Sequence, residues 1–195
     1  MELPVEVIQK IRERGPADLD IALSAFSDIL RNGKAEVNLG AENISIAGVP
    51  VTGKIDHIMV NEERKRIEIY DFKTGGYRKE KWQSHATLYK YMLQLEFYKL
   101  LLNNSPTYCK YKIDKAHILF VVPDKDGEVY DKIYEFNQKD ESEILKLIKA
   151  VYQLVFSLKF LEDSEIFVPP DNSLGIKDIE QFIALLLAKN YESSI

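Results

Sequence analysis

Cysteine is almost missing from this chain of 195 residues: Cys109 is alone. One thiol cannot form a disulfide within the chain, and it cannot supply the cysteine ligands of a structural zinc site or an iron–sulfur cluster. That scarcity suits a reducing, cytoplasmic setting. Long apolar runs are lacking too. No stretch approaches the roughly 20 residues needed to span a bilayer, and Met1-Glu2-Leu3-Pro4 does not open a signal peptide. No excess of positive charge is present, since the net charge is −5, and this counts against a passive nucleic-acid coat. Histidine is scarce, with three residues, His57, His85 and His117.

What is there reads as an ordinary globular protein. Hydrophobic residues make up 46% and charged residues 29%, and 11 tyrosines with 9 phenylalanines exclude a disordered chain. The length suits one domain with a sizeable core. The charge is uneven. Between Lys73 and Lys81 stand four cations, Lys73, Arg78, Lys79 and Lys81, against the single acid Glu80. A local patch of this kind serves phosphate contact better than the total charge suggests.

Hydrophobic spacing predicts a helix over Asp18–Leu30, through Leu19, Ala22, Leu23, Phe26, Ile29 and Leu30. Strands follow over Glu36–Ile46, Val51–Val60 and Arg66–Lys73, with Gly48-Val49-Pro50 as one turn and Asn61–Lys65 as a polar hairpin loop. A long helix over Trp82–Leu102 precedes a buried strand at Ala116–Val122 and an edge strand at Glu128–Phe136. Two more helices are expected, at Glu141–Phe160 and Ile176–Lys189. Residues 1–16 carry little pattern. This order makes an α/β fold, a central mixed sheet flanked by helices. The core spans about 17–160 and a C-terminal extension 161–195, and the abrupt start suggests a piece of a longer polypeptide.

The chemistry concentrates in two neighbouring strands. Asp71 and Lys73 are two apart, so they project from one face of their strand. Asp56 interrupts the apolar run Ile55–Val60. Three hairpin-linked strands would bring Glu36, Asp56 and Asp71 to one end of the sheet. Carboxylates placed among buried residues are costly unless compensated, and a divalent metal compensates them. Their oxygens are hard ligands suited to Mg²⁺ or Mn²⁺. Such an ion lowers the pKa of a bound water, and Lys73 can offset charge that develops on a phosphoryl oxygen. The bland alternative is a same-face ion pair at a strand end.

The motifs go further. Gly53-Lys54-Ile55-Asp56 is followed by Asp71-Phe72-Lys73-Thr74-Gly75, then by Gln94-Leu95-Glu96-Phe97-Tyr98 on the next helix. In this the chain resembles the PD-(D/E)XK nuclease superfamily, in particular its RecB-type branch, found in RecB and AddAB helicase–nucleases and in CRISPR adaptation exonucleases. The resemblance implies a restriction-endonuclease-like core and a Mg²⁺- or Mn²⁺-dependent DNA nuclease without an iron–sulfur cluster. It implies metal ligands at Asp56, Asp71 and the Phe72 carbonyl, a catalytic Lys73, and an upstream glutamate matched by Glu36. Gln94 and Tyr98 would border the site and touch nucleic acid, while Arg78, Lys79 and Lys81 would meet phosphate. Covalently linked helicase domains and a role in DNA repair or recombination are further expectations. The branch carries a histidine ligand on a helix upstream of the glutamate, and Asp18–Leu30 has none. A catalytically silent nuclease-fold module that binds DNA or a partner is therefore the alternative. His57 should face away from the acids into the core, and His117 should be structural.

Overall fold

A computed structural model describes residues 5–75, 77, 85–157 and 183–184. They form helices α1 (Val5–Ala25) and α2 (Ser27–Asn32), strands β1 (Lys34–Asn38), β2 (Ser45–Ile46), β3 (Val49–Pro50), β4 (Lys54–Asn61) and β5 (Arg66–Lys73), helix α3 (His85–Asn103), strands β6 (Lys112–Phe120) and β7 (Tyr130–Glu135), and helix α4 (Gln138–Ser157). The fold is mixed α/β. A five-stranded sheet runs β1-β4-β5-β6-β7, with β5 and β6 parallel and every other neighbour antiparallel. The connection from β5 to β6 carries α3, as a parallel pair requires a long crossover. None of the described helices is long and apolar enough to cross a membrane.

The chain divides into two compact units. The first draws on Met1–Asn38, Lys54–Trp82 and Lys110–Glu135, and the second on Leu39–Gly53, Gln83–Cys109 and Phe136–Ile195. In the first, α1 and α2 lie on one face of the sheet. Ala22 and Phe26 are buried with Tyr70 and Leu119, and Ile29, Met59, Phe72, Val121 and Val129 pack around them. Only part of the expected apolar stripe faces this core, because Leu19, Leu23 and Leu30 remain 57%, 46% and 39% exposed. The helix also begins far earlier than its pattern suggests. It runs from Val5 and passes through Pro16. A proline in a helix interior removes one backbone donor, so a reading by propensity stops there. At Phe26 the helix breaks, with φ −108° and ψ 17°, before α2 resumes.

The expected long strand over Glu36–Ile46 is two pieces. β1 ends at Asn38, and Ser45–Ile46 pairs instead with Val49–Pro50. The turn is Ala47-Gly48, both at positive φ (52° and 85°), which matches the twist of a two-residue hairpin and shifts the turn upstream of Val49-Pro50. This hairpin belongs to the second unit. There α3 and α4 are joined by Tyr89 Oη donating to Glu143 at 2.5 Å and Lys99 Nζ donating to Glu141 at 2.7 Å. Gly53, the first residue of the Gly-x-Ile-Asp motif, is in the same unit. A Cβ there would come within 2.4 Å of Leu101 Cδ1, so close approach of the leucine, and no special φ, calls for glycine. The C-terminal helix expected at Ile176–Lys189 lies outside the described residues except for 183–184, which are helical.

Candidate active site

β4 and β5 run antiparallel in register from Asn61↔Arg66 to His57↔Tyr70. Asp56 is the next residue of β4, and its side chain takes over from the backbone ladder there: Oδ2 accepts the Phe72 N–H at 3.1 Å. This links the two motif strands through the acid itself. On β5, period-two alternation brings Lys73 back beside Asp71, with Nζ 2.5 Å from Oδ2. Asp71 is 1% exposed. Burial pushes its carboxyl above the ordinary range, Lys73 pulls it down, and the neighbouring Asp56 carboxylate pushes it up again. Two like charges therefore meet at the end of β5, with the Lys73 ammonium paired to Asp71 and its side chain only 21% exposed.

Glu36 lies opposite Asp56, between the register pairs Ala35↔His57 and Val37↔Ile55. Its backbone takes a positive φ of 54°, uncommon for a residue with a Cβ. Its carboxylate ion-pairs with Lys54 at an exposed position. Among the described residues no three histidine, cysteine or acidic side chains gather closely enough to hold a metal. The donor set that the chain does bring together is two aspartates. Hard carboxylates at a buried, mutually repelling position fit Mg²⁺ or Mn²⁺, whose remaining coordination is commonly water and substrate phosphate.

His57 turns away from the acids, as expected. Its Nε2–H donates to the Ile29 carbonyl at 2.8 Å, and its ring stands edge-on to Tyr70 and Phe72. Burial lowers its pKa, and the hydrogen bond to Ile29 partly opposes this. A Cβ on Gly33 would fall 1.8 Å from Nε2, so this histidine also dictates a glycine at the start of β1. His117 is structural in its surroundings: it is buried, stacks on Tyr70 at 4.5 Å and bonds Asp131 through Nδ1 at 2.8 Å.

The match to known proteins accords with this geometry. Residues 4–171 match the PD-(D/E)XK nuclease superfamily. The chain belongs to that superfamily. Among solved structures, the crystal structure of SSO0001 is similar to this PD-(D/E)XK chain at 18% identity, with a TM-score of 0.42, over 76% of this chain and 64% of the other. The match thus spans under two thirds of SSO0001. No curated protein matches the chain.

The remaining candidates separate. Gln94 and Tyr98 are on α3 of the second unit, where Gln94 Nε2 donates to Tyr98 Oη at 2.8 Å, so they do share a helix face. Arg78, Lys79 and Lys81 lie outside the described residues. Motif reading passed over one group in the same unit as the carboxylates. Register places Lys132 in one row with Asp71 through Ile118, and Tyr130 in one row with Lys73 through Phe120. Residues paired across strands share a face. The signal was present in the Tyr130/Lys132 spacing, but it acquires meaning only when β7 is known to lie next to β6.

Proposed function

We propose that this chain hydrolyses phosphodiester bonds of DNA, using Mg²⁺ or Mn²⁺ held by Asp56 and Asp71 with the Phe72 carbonyl. The observation that carries the reading is the meeting of two aspartates at the end of β5, one buried and raised in pKa, with Lys73 on the same face. An ion bound there would polarise a phosphoryl oxygen and supply a nucleophilic water near neutral pH. The protein's own part is then definite. Asp56 ties β4 to β5 and so keeps both carboxylates at one spacing. Burial of Asp71 strengthens its attraction for any cation that arrives. Lys73 presents an ammonium to charge that builds on the phosphoryl oxygens, an electrostatic role. Glu36 flanks the pair. Gln94, Tyr98 and the run Arg78, Lys79 and Lys81 contact the substrate strand.

The RecB-type assignment rests on the order and spacing of the three motifs. The same resemblance supports linked helicase domains and a role in DNA repair, and the scarcity of cysteine suits a cytoplasmic location. ATPase motifs in the full-length polypeptide test the helicase link. The cleavage assay is direct: single- and double-stranded DNA should be cut with Mg²⁺ or Mn²⁺ and spared in EDTA. Full activity in chelator overturns the metal mechanism. Two observations favour a second reading, a silent nuclease-fold module: α1 carries no histidine, and Glu36 is paired with Lys54. Metal-independent DNA binding without cleavage would select it.

A further inference from the structure

Beside the carboxylates, on the same sheet face, stands an ordered cluster of aromatic rings. Tyr130 packs on Tyr77 with ring centroids 4.4 Å apart, and Tyr77 meets Phe120 edge-on at 5.4 Å. Lys132 Nζ lies over the Tyr77 ring at 4.4 Å and over Tyr130 at 5.5 Å. The Tyr130 hydroxyl donates to Asp124 Oδ2 at 2.6 Å, and that bond, together with burial, raises its pKa to about 12. The ring is therefore fixed at its far end and stays a neutral phenol at physiological pH. Phe120 is buried beneath, whereas Tyr77, Tyr130 and Lys132 are half-buried.

Position makes this more than a staple. Lys73, Phe120 and Tyr130 form one row across β5, β6 and β7. Neighbouring strands are about 4.8 Å apart, so Tyr130 stands roughly 10 Å from the strand that carries Lys73. A nucleotide next to the reacting phosphate reaches that far. Aromatic rings grouped with a cation are side chains that hold unpaired bases: a ring stacks and the cation meets the adjoining phosphate. Stacking reads no sequence and needs a base that has left its duplex.

We propose that Tyr77, Tyr130 and Lys132 form a subsite for an unpaired nucleotide flanking the scissile phosphate, so that the substrate is a single strand or a frayed end. The inference rests on the nuclease reading for the direction of the strand, and its test is separable from that reading. Dye-labelled oligodeoxythymidine and a dye-labelled abasic strand of equal length are titrated with wild-type chain, Tyr130→Ala, Tyr130→Phe and Lys132→Ala, and cleavage is followed in parallel with Mn²⁺. Tyr130→Ala should weaken binding of the thymidine strand roughly ten-fold and leave the abasic strand unaffected, the selectivity that loss of one stacked base produces. Tyr130→Phe keeps the ring and should keep the affinity. Lys132→Ala should weaken both strands. If Tyr130→Ala binds both strands as the wild type does, with an unchanged melting temperature, the cluster is only a staple and the proposal falls while cleavage stands. If the wild type cuts nothing but Tyr130→Ala still loses the thymidine strand selectively, the subsite stands and the nuclease reading falls. Should Tyr130→Ala fail to fold, Lys132→Ala and Tyr130→Phe decide: unchanged binding of both strands by Lys132→Ala overturns the proposal.

Discussion

The two faces of β5 carry charge in opposite ways. On the face under α1, Glu68, Tyr70, His117, Lys115 and Asp131 join unlike partners. Tyr70 Oη donates to Glu68 at 2.7 Å, Lys115 Nζ lies 3.2 Å from the same carboxylate, and His117 bonds Asp131. Burial pushes the Glu68 carboxyl up, but the hydrogen bonds from Tyr70 and Lys115 and the charge of Lys115 outweigh it, so Glu68 stays below its ordinary range. Burial, then Glu68, raise the Tyr70 hydroxyl well above the ordinary phenol range. On the other face burial raises Asp71, its ion pair with Lys73 only partly opposes this, and the like charge of Asp56 adds to the rise. A network of unlike partners stabilises itself. A pair of like charges holds free energy that a cation can release, and a site for one is expected where such a pair persists.

The largest test of this contrast is Asp71→Asn. Cleavage should be abolished, because the retained shape lacks the ligand charge. Melting in EDTA should stay level or rise: a raised folded pKa makes ionised Asp71 a cost at neutral pH, and the amide removes that cost. A melting temperature several degrees lower in EDTA would make Asp71 structural and erase the difference between the faces.

Lys73→Ala comes next. Loss of one electrostatic stabiliser predicts a fall of about 10²–10³-fold in cleavage rate. Affinity for Mg²⁺ or Mn²⁺, read by titration calorimetry, should hold or increase once the neighbouring ammonium is gone. A large drop in metal affinity with little change in rate would turn Lys73 into a mere prop for Asp71.

A smaller effect is expected for the basic run that follows β5 in the chain. Replacing Arg78, Lys79 and Lys81 together with serine should weaken DNA binding and reduce its salt slope by up to about three phosphate equivalents. The rate at saturating DNA should change little, since such contacts position the strand. An unchanged slope would assign the approach of DNA to other residues, Lys90, Gln94 and Tyr98 on α3 first among them.

The smallest change probes the self-contained face. Glu68→Gln should leave cleavage intact and lower stability slightly at neutral pH. The sign follows from linkage. A depressed carboxyl contributes stability that is present above its ordinary value of 4.5 and lost as pH falls through its lower folded value. Thermal melts from pH 7 down to pH 3 should therefore lose part of their acid-side slope in the variant. An equal slope would show that the network contributes nothing through Glu68.

Much of this architecture was legible in the chain itself. β5 was readable to the residue, because its apolar run ends at Asp71-Phe72-Lys73 and Thr74-Gly75 cannot extend it. The Asn61–Lys65 loop was equally plain. β6 was placed too short: Lys112, Asp114 and Lys115 hide a strand whose charges are met by partners on neighbouring strands, as in the Arg66–Asp114 and Lys115–Glu68 pairs. α1 was missed upstream of Pro16 because residues 1–16 carry little apolar pattern and the proline removes a backbone donor. Hairpin linkage brought Glu36 to the same end of the sheet as Asp56, but its register opposite Asp56, its positive φ and its pairing with Lys54 were not legible.

By itself, then, the amino-acid sequence determined the family-bearing motifs, the alternation that aligns Asp71 with Lys73, and the mixed α/β class, all of which follow from local periodicity. Only the tertiary structure decided what each side chain meets. It buried Asp71 beside Asp56, set His57 where a Cβ at position 33 would clash, and put Lys132 in row with Asp71 and Tyr130 in row with Lys73. Those outcomes depend on which strands become neighbours, and strand neighbours are chosen by long-range packing that no window of sequence contains.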